Sequence, residues 1–371
     1  MKIIYTDLPS SSFSPISYNW NIQDFLFTDI ETTGLSPARH QIYCIGAAYM
    51  TENTYRICQF FAETPEEEPL ILKEFLNLFQ SLPQAVLLTF NGSTFDLPFI
   101  RKRCEHFGLL CDTADILHID LYREARNLRC LLGLTGLKQK DIEQFLQIER
   151  EDIYSGKELI QMYRDYVKSP DKDLLHLLLL HNQDDMKGMY DLLPILNYRQ
   201  LPAGDFTVSS LQTEQGADFS GDSKTWAVFQ IAWEVPLPQH VFRHSSSIQI
   251  LLHEKTGLIR LPVSHMTLRY YLKDYKNYYY LPEEDTIVHK SVGQFVDAAH
   301  RTPAKADNCF LKKTADFIQI LKPAALPCFQ ESYKSAPLYL ELDPQALFPE
   351  HKDTCRTILT DYICQLKHLL V

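Results

Sequence analysis

The chain is 371 residues long, two to three times a typical domain of ~100–200 residues, so two domains are expected. Its composition, 45% hydrophobic and 22% charged, excludes a disordered or collagen-like chain, and nine cysteines without a C-x-x-C pair favour reduced thiols over a disulfide framework or zinc knuckle. The net charge of -11 is concentrated in the first 200 residues, which carry 19 Lys+Arg against 28 Asp+Glu; a protein that coats nucleic acid non-specifically would be basic. An acidic domain that handles phosphates needs metal ions to do so. The longest apolar runs, such as Leu177 to Leu180, fall far short of the ~20 residues of a membrane span. The start MKIIYTDLPS turns polar at once and lacks a signal-peptide apolar region, so no membrane association and a cytoplasmic location are expected.

Residues 1–20 read as a leader segment. Phe25 to Ile30 is an apolar run ended by Thr32-Thr33-Gly34, the pattern of a buried strand. Gln41 to Met50 and Tyr55 to Phe61 are β-rich and are joined by a turn at Thr51 to Thr54, giving three successive strands. Glu66 to Gln80 carries Leu70, Leu72, Phe75, Leu76 and Phe79 at helical spacing, and Ala85 to Phe90 is again an apolar strand. From Phe95 to about Leu196 the chain reads as helical, with a short strand near Ala114 to Ile119 and a break at Gly133 to Gly136. This order predicts an α/β layer fold, a mixed five-stranded sheet flanked by helices. The Pro-, Gly- and polar-rich stretch Asn197 to Asp205 marks the boundary, so the domains are 21–200 and 201–371. In the second, Trp226 to Val235, Ser247 to Glu254, Leu258 to Val263, Asp316 to Leu321 and Leu338 to Leu342 read as strands and Thr354 to Leu370 as a helix, a smaller α+β domain.

Acids recur at three places in the first domain. In Asp29-Ile30-Glu31-Thr32-Thr33-Gly34-Leu35 the two acids lie on one face of a strand, about 7 Å apart, and raise each other's pKa unless a cation sits between them. In Asn91-Gly92-Ser93-Thr94-Phe95-Asp96 a flexible turn exposes its backbone just before an acid at a helix start. In His181-Asn182-Gln183-Asp184-Asp185, Asp185 shares a helix face with His181, while Asp184 stacks with Leu180; Asn182, Gln183 and Asp184 read as a solvated polar edge. Taken singly, each motif is also compatible with acids that merely reach water or sit at a helix N-terminus, the latter worth ~0.3–1 kcal/mol.

Together, in this order and spacing, the three motifs resemble those of the DEDD superfamily of 3′-to-5′ exonucleases, which have a ribonuclease H-like fold. The resemblance covers residues 21–198 and is greatest to the bacterial YprB-type ribonuclease H-like branch, which the segment Gly136 to Asp152 also resembles. It implies that Asp29, Glu31, Asp96 and Asp185 hold two divalent cations, Mg²⁺ or Mn²⁺, which suit oxygen ligands. His181 stands where the family places the residue that orients or deprotonates water; its four-residue gap to Asp185 is the spacing of the tyrosine subtype. The resemblance further implies that the backbone of Thr32, Thr33, Gly34 and Leu35 cradles the terminal nucleotide, with Asn91 and Phe95 near the scissile end. The expected activity is metal-dependent 3′-to-5′ hydrolysis of single-stranded DNA or RNA ends. A structure-selective endonuclease and a catalytically weak nucleic-acid-binding scaffold protein are the alternatives that share these motifs.

In the second domain, Arg269 to Tyr280 holds six tyrosines among cations. This composition suits either a stacking platform for single strands or tyrosines packed within strands. His240 and His244 are four apart, but a metal pair would need a helix and further ligands.

Overall fold

The computed structural model describes residues 1–9, 20–51, 54–82, 86–111, 117–148, 156–217 and 221–370. These residues divide into two compact units, Met1–Arg199 with Leu237–Gln239, and Gln200–Pro236 with His240–Val371. Among the described residues no helix is long and apolar enough to cross a membrane.

In chain order the first unit contains β1 (Lys2–Pro9), β2 (Phe25–Thr32), β3 (Ile42–Met50), β4 (Thr54–Phe61), α1 (Glu68–Gln80), β5 (Val86–Thr89), α2 (Asp96–Phe107), β6 (His118–Asp120), α3 (Leu121–Leu132), α4 (Gln139–Leu146), α5 (Gly156–Lys168) and α6 (Lys172–Asp191). The strands form one mixed sheet in the order β1-β4-β3-β2-β5-β6. β1 to β4 pair antiparallel, whereas β2, β5 and β6 run parallel. The sheet has six strands rather than five because Lys2–Pro9, read from the sequence as part of a leader, pairs along its whole length with β4. The rest of that segment, residues 10–19, lies outside the described residues, as do parts of the expected Thr51 to Thr54 turn, of the strand near Ala114 and of the Gly136 to Asp152 stretch.

Alternation in the central strands makes two cores. Leu26, Ile30, Ile45, Ala47, Cys58 and Phe60 pack with Ile71, Leu72 and Phe75 of α1 and Phe99, Ile100 and Cys104 of α2. Tyr43, Cys44 and Phe61 pack with Leu159, Tyr163 and Tyr166 of α5 and Leu178 of α6. Helices thus cover both faces, which is why β2 and β3 are buried almost throughout. On β2, Ile30 belongs to the α1–α2 core, so Asp29 and Glu31 face the α6 layer, as strand alternation requires.

The second unit is richer in strands than expected. Its larger sheet has eight: β7 (Thr207–Ala217), β8 (Ser223–Ala232), β9 (Val241–His244), β10 (Gln249–His253), β11 (Thr256–Tyr271), β15 (Phe310–Ile320), β16 (Cys328–Phe329) and β17 (Leu338–Glu341). β12 (Tyr278–Leu281), β13 (Thr286–His289) and β14 (Thr302–Pro303) make a small separate sheet, and the expected terminal helix runs over Lys352–Cys364. β11 is far longer than its apolar segment: Pro262 stands where pairing passes from β8 to β15, so its missing N–H interrupts no ladder.

Candidate active site

Three elements of the first unit bring the acidic motifs to one end of β2. β2 contributes Asp29 and Glu31 before a register shift between Glu31 and Thr32, a bulge of the kind that re-aims side chains beside functional sites. β5 is shorter than β2 and pairs only as far as Phe27. Beyond its end the Ile30 N–H donates instead to Asp96 Oδ1 at 3.1 Å, which ties the first residue of α2 to the middle of the first motif. α6 supplies the rest: His181 Nε2 lies 3.3 Å from Asp185 Oδ2, one helical turn away, and 3.6 Å from Glu31 Oε1.

Glu31, His181 and Asp185 each offer a ligand atom within 4.8 Å of the others, a group able to hold a metal ion. Tyr43 donates to Glu31 Oε2 at 3.4 Å and is itself stacked on Tyr163, with ring centroids 4.2 Å apart. Asp29 and Asp96 stand outside that 4.8 Å group but within its field. Burial, together with the charges of Asp96, Asp185 and Glu31, holds the Asp29 carboxyl well above the usual carboxylate range, against the hydrogen bond from Asn182. Burial likewise pushes Asp96 up to about 7, opposed by the N–H groups of Asp96 and Ile30 and reinforced by Asp120 and Asp185. The donor set fits hard divalent cations: carboxylate oxygens crowded at a strand end, each destabilising its neighbours' charge, with a cation as the natural relief.

The expected substrate-side residues divide by what their side chains do. Thr32 donates to the Gly34 carbonyl at 3.0 Å, and the Thr33 hydroxyl accepts from the Gln41 N–H at 3.0 Å, so both hydroxyls brace the loop after β2. At Gly34 a Cβ would fall 2.5 Å from the His40 ring, so any other residue here would require that ring to move. Arg103 of α2 donates to the Pro37 carbonyl at 3.2 Å and pins the same loop from below. Leu35 projects from it 84% exposed. Asn91 holds the left-handed conformation, φ 61°, while Phe95 leans on Phe99 with centroids 5.5 Å apart and is partly drawn into the core.

Two residues that the sequence reading did not assign to the site organise this end of the sheet. Asp120, at the end of β6, accepts from the N–H groups of Asn91 at 2.8 Å, Ser93 at 3.0 Å and Tyr122 at 3.1 Å, so it fixes the turn before Asp96 and caps α3. The available signal was an acid immediately before a helical pattern. Asn182 is the other. It is fully buried rather than part of a solvated edge, because it lies on the same stripe of α6 as buried Leu178 and Met186.

In the second unit, the tyrosines of the Arg269 to Tyr280 segment mostly pack locally. Tyr271 meets Phe310 and Tyr333 edge-on, Tyr270 tilts against Phe329, and Tyr280 donates to Asp285 at 2.6 Å. His240 tilts against His253, with centroids 4.0 Å apart, and His244 likewise against Phe242.

Comparison with known proteins places the fold. Residues 26–197 match the RNase_H_2 family of the RNase_H superfamily. This region therefore has a ribonuclease H-like fold. It is 29% identical over 189 residues to the uncharacterized protein YprB of Bacillus subtilis (strain 168), a match covering 49% of this chain and 44% of YprB, so the chain spans less than half the length of that relative. Among solved structures, the family B DNA polymerase of Pyrobaculum calidifontis aligns with a TM-score of 0.38 and 13% identity over 48% of this chain and 25% of its own. Escherichia coli Exonuclease I in complex with a dT13 oligonucleotide aligns with a TM-score of 0.29 and 16% identity over 56% of this chain and 54% of its own.

Proposed function

We propose that the chain is a metal-dependent 3′-to-5′ exonuclease that hydrolyses single-stranded DNA or RNA ends. The observation that carries this reading is the convergence of Asp29, Glu31, Asp96 and Asp185, from a strand and two helices, on one end of β2, where Asp29 and Asp96 are held above the usual carboxylate range. These four acids would hold two Mg²⁺ or Mn²⁺ ions, which when bound acidify the attacking water and offset charge on the leaving 3′ oxygen. The chain's own residues do the rest. His181, between Glu31 and Asp185, accepts the proton of the attacking water. The backbone of Thr32 to Gly34, braced by its own hydroxyls, admits the terminal sugar-phosphate at close range. Leu35 offers an apolar surface to the terminal base, and Asn91 and Phe95 border the scissile end. The acidic surroundings then become an advantage, since bound cations reverse the local sign and accept a phosphate.

The test is product analysis on 5′-labelled single-stranded DNA and RNA of one sequence, with and without Mn²⁺ or Mg²⁺, for the wild type and Asp29→Ala. The expected result is a metal-dependent ladder shortened from the 3′ end and lost in Asp29→Ala. Internal cuts at fixed positions would replace this reading with the endonuclease, and a wild type inactive on both polymers would overturn it.

A further inference from the structure

Behind Asp29 lies a run of amides whose direction is set from its far end. Gln59 of β4 donates through Nε2 to the Leu179 carbonyl at 2.8 Å, a partner that can only accept, so the sense of the Gln59 amide is fixed. The same Nε2 donates to Asn182 Oδ1 at 3.0 Å. With its oxygen committed there, Asn182 must turn Nδ2 toward Asp29, and it donates to Asp29 Oδ2 at 3.1 Å. The fit is close, because a Cβ on Gly46, which pairs with Asp29 across β2 and β3, would lie 2.4 Å from Asn182 Oδ1. Asn182 and Gln59 are both fully buried, so solvent offers neither amide an alternative partner.

We propose that Asn182, oriented by Gln59 and admitted by Gly46, is a positioning residue that fixes the Asp29 carboxylate, holding Oδ2 in a hydrogen bond and leaving Oδ1 for a divalent cation. The inference rests on the reading of Asp29 as a metal ligand. It assigns to a neutral residue of the third motif a task that the acids cannot perform, since another carboxylate in that place would repel Asp29. Hydrogen bonds that orient a metal's ligands change its affinity by ~10–100-fold when lost.

Mn²⁺ titration of the full chain without nucleic acid, followed by the electron paramagnetic resonance of the free ion, tests it with three variants. Asn182→Ala removes the donor. Gln59→Glu keeps the size but presents an acceptor where Asn182 Oδ1 now meets a donor, so it turns the Asn182 amide around and directs its oxygen at Asp29. Asp29→Ala reports on the site itself. Each of the first two is expected to raise the Mn²⁺ dissociation constant ~10–100-fold, with an unchanged KM for an oligonucleotide at saturating Mn²⁺. A merely structural role would lower the urea midpoint and leave Mn²⁺ affinity alone, and that result overturns the proposal. Should Asn182→Ala fail to fold, Gln59→Glu decides it by the same criterion. If Asp29→Ala binds Mn²⁺ as tightly as the wild type, the metal reading falls; if Asp29→Ala loses Mn²⁺ while both amide variants keep it, only the positioning role falls.

Discussion

Glu68 and Asp29 lie in the same unit, and their carboxylates meet opposite surroundings. Glu68, at the start of α1, is wholly buried and receives Arg103 Nε at 2.7 Å, Arg103 Nη2, and the Ile42 N–H at 2.9 Å. The Arg103 guanidinium also reaches the Pro37 carbonyl, so one pair joins α1, α2, β3 and the loop that carries Leu35. Asp29 is flanked by Asp96, Asp185 and Glu31, with a single amide opposing the strain. The chain thus builds a matched cation for a buried acid where it needs rigidity. At the end of β2 it gathers acids instead, which raise one another's pKa and whose charge a bound cation would offset.

The comparison predicts effects of opposite sign. Arg103→Met leaves Glu68 charged and unmatched in the interior and is expected to cost about 3–5 kcal/mol by urea unfolding. Replacing both partners, Glu68→Leu with Arg103→Met, should recover most of that loss, because an apolar pair needs no desolvated charge. A double replacement no more stable than Arg103→Met would mean that the anchor on Pro37 matters more than the ion pair.

Asp96→Asn should act the other way. It keeps an oxygen for the Ile30 N–H and removes a charge from the cluster, so it is expected to stabilise the metal-free protein at pH 8 by on the order of 2 kcal/mol while abolishing turnover. The sign follows from the raised pKa. Between the unfolded value near ~4 and the folded value of about 7, the native state binds more protons than the unfolded one, so this group's contribution to stability declines as pH rises through that window. Urea midpoints of metal-free wild type and Asp96→Asn, measured from pH 4 to 8, should therefore diverge progressively, the variant becoming relatively more stable toward pH 8. Parallel curves would show that Asp96 is ionised at no cost and would undo the contrast with Glu68.

What could be read in advance followed from periodicity. Asp29 and Glu31 share a face because strands alternate, and Asp185 joins His181 because helices repeat every 3.6 residues, so the first and third motifs were legible with their elements; the second was read from the turn before Asp96, and the family resemblance joined the three. Asn182 obeys the same helical geometry, on the Leu178 and Met186 stripe, but its polar side chain outweighed its position. β1 and β7 were missed for another reason. β1 touches the sheet along one edge only, and β7 is mostly exposed and polar, so each is a strand because β4 or β8 offers it a partner, not because its own residues demand it. The Glu68–Arg103 pair joins residues far apart in the chain, and nothing local announces it.

The smallest effect bears on substrate contact alone. Leu35 stands 84% exposed on a loop whose other members are tied by Thr32, Thr33 and Arg103, so the fold gains little from it and holds it in place all the same. Leu35→Ala should change stability by less than about 0.5 kcal/mol. If the side chain packs against the terminal base, the same change should raise KM for a single-stranded oligonucleotide roughly fivefold, about 1 kcal/mol, with kcat nearly unchanged. A substrate ending in an abasic sugar separates base contact from backbone contact: the wild type should then lose the same factor, and Leu35→Ala should lose nothing more. An equal penalty for Leu35→Ala on both substrates would show that the leucine shapes the loop rather than meeting the base, and the exposed side chain would need another explanation.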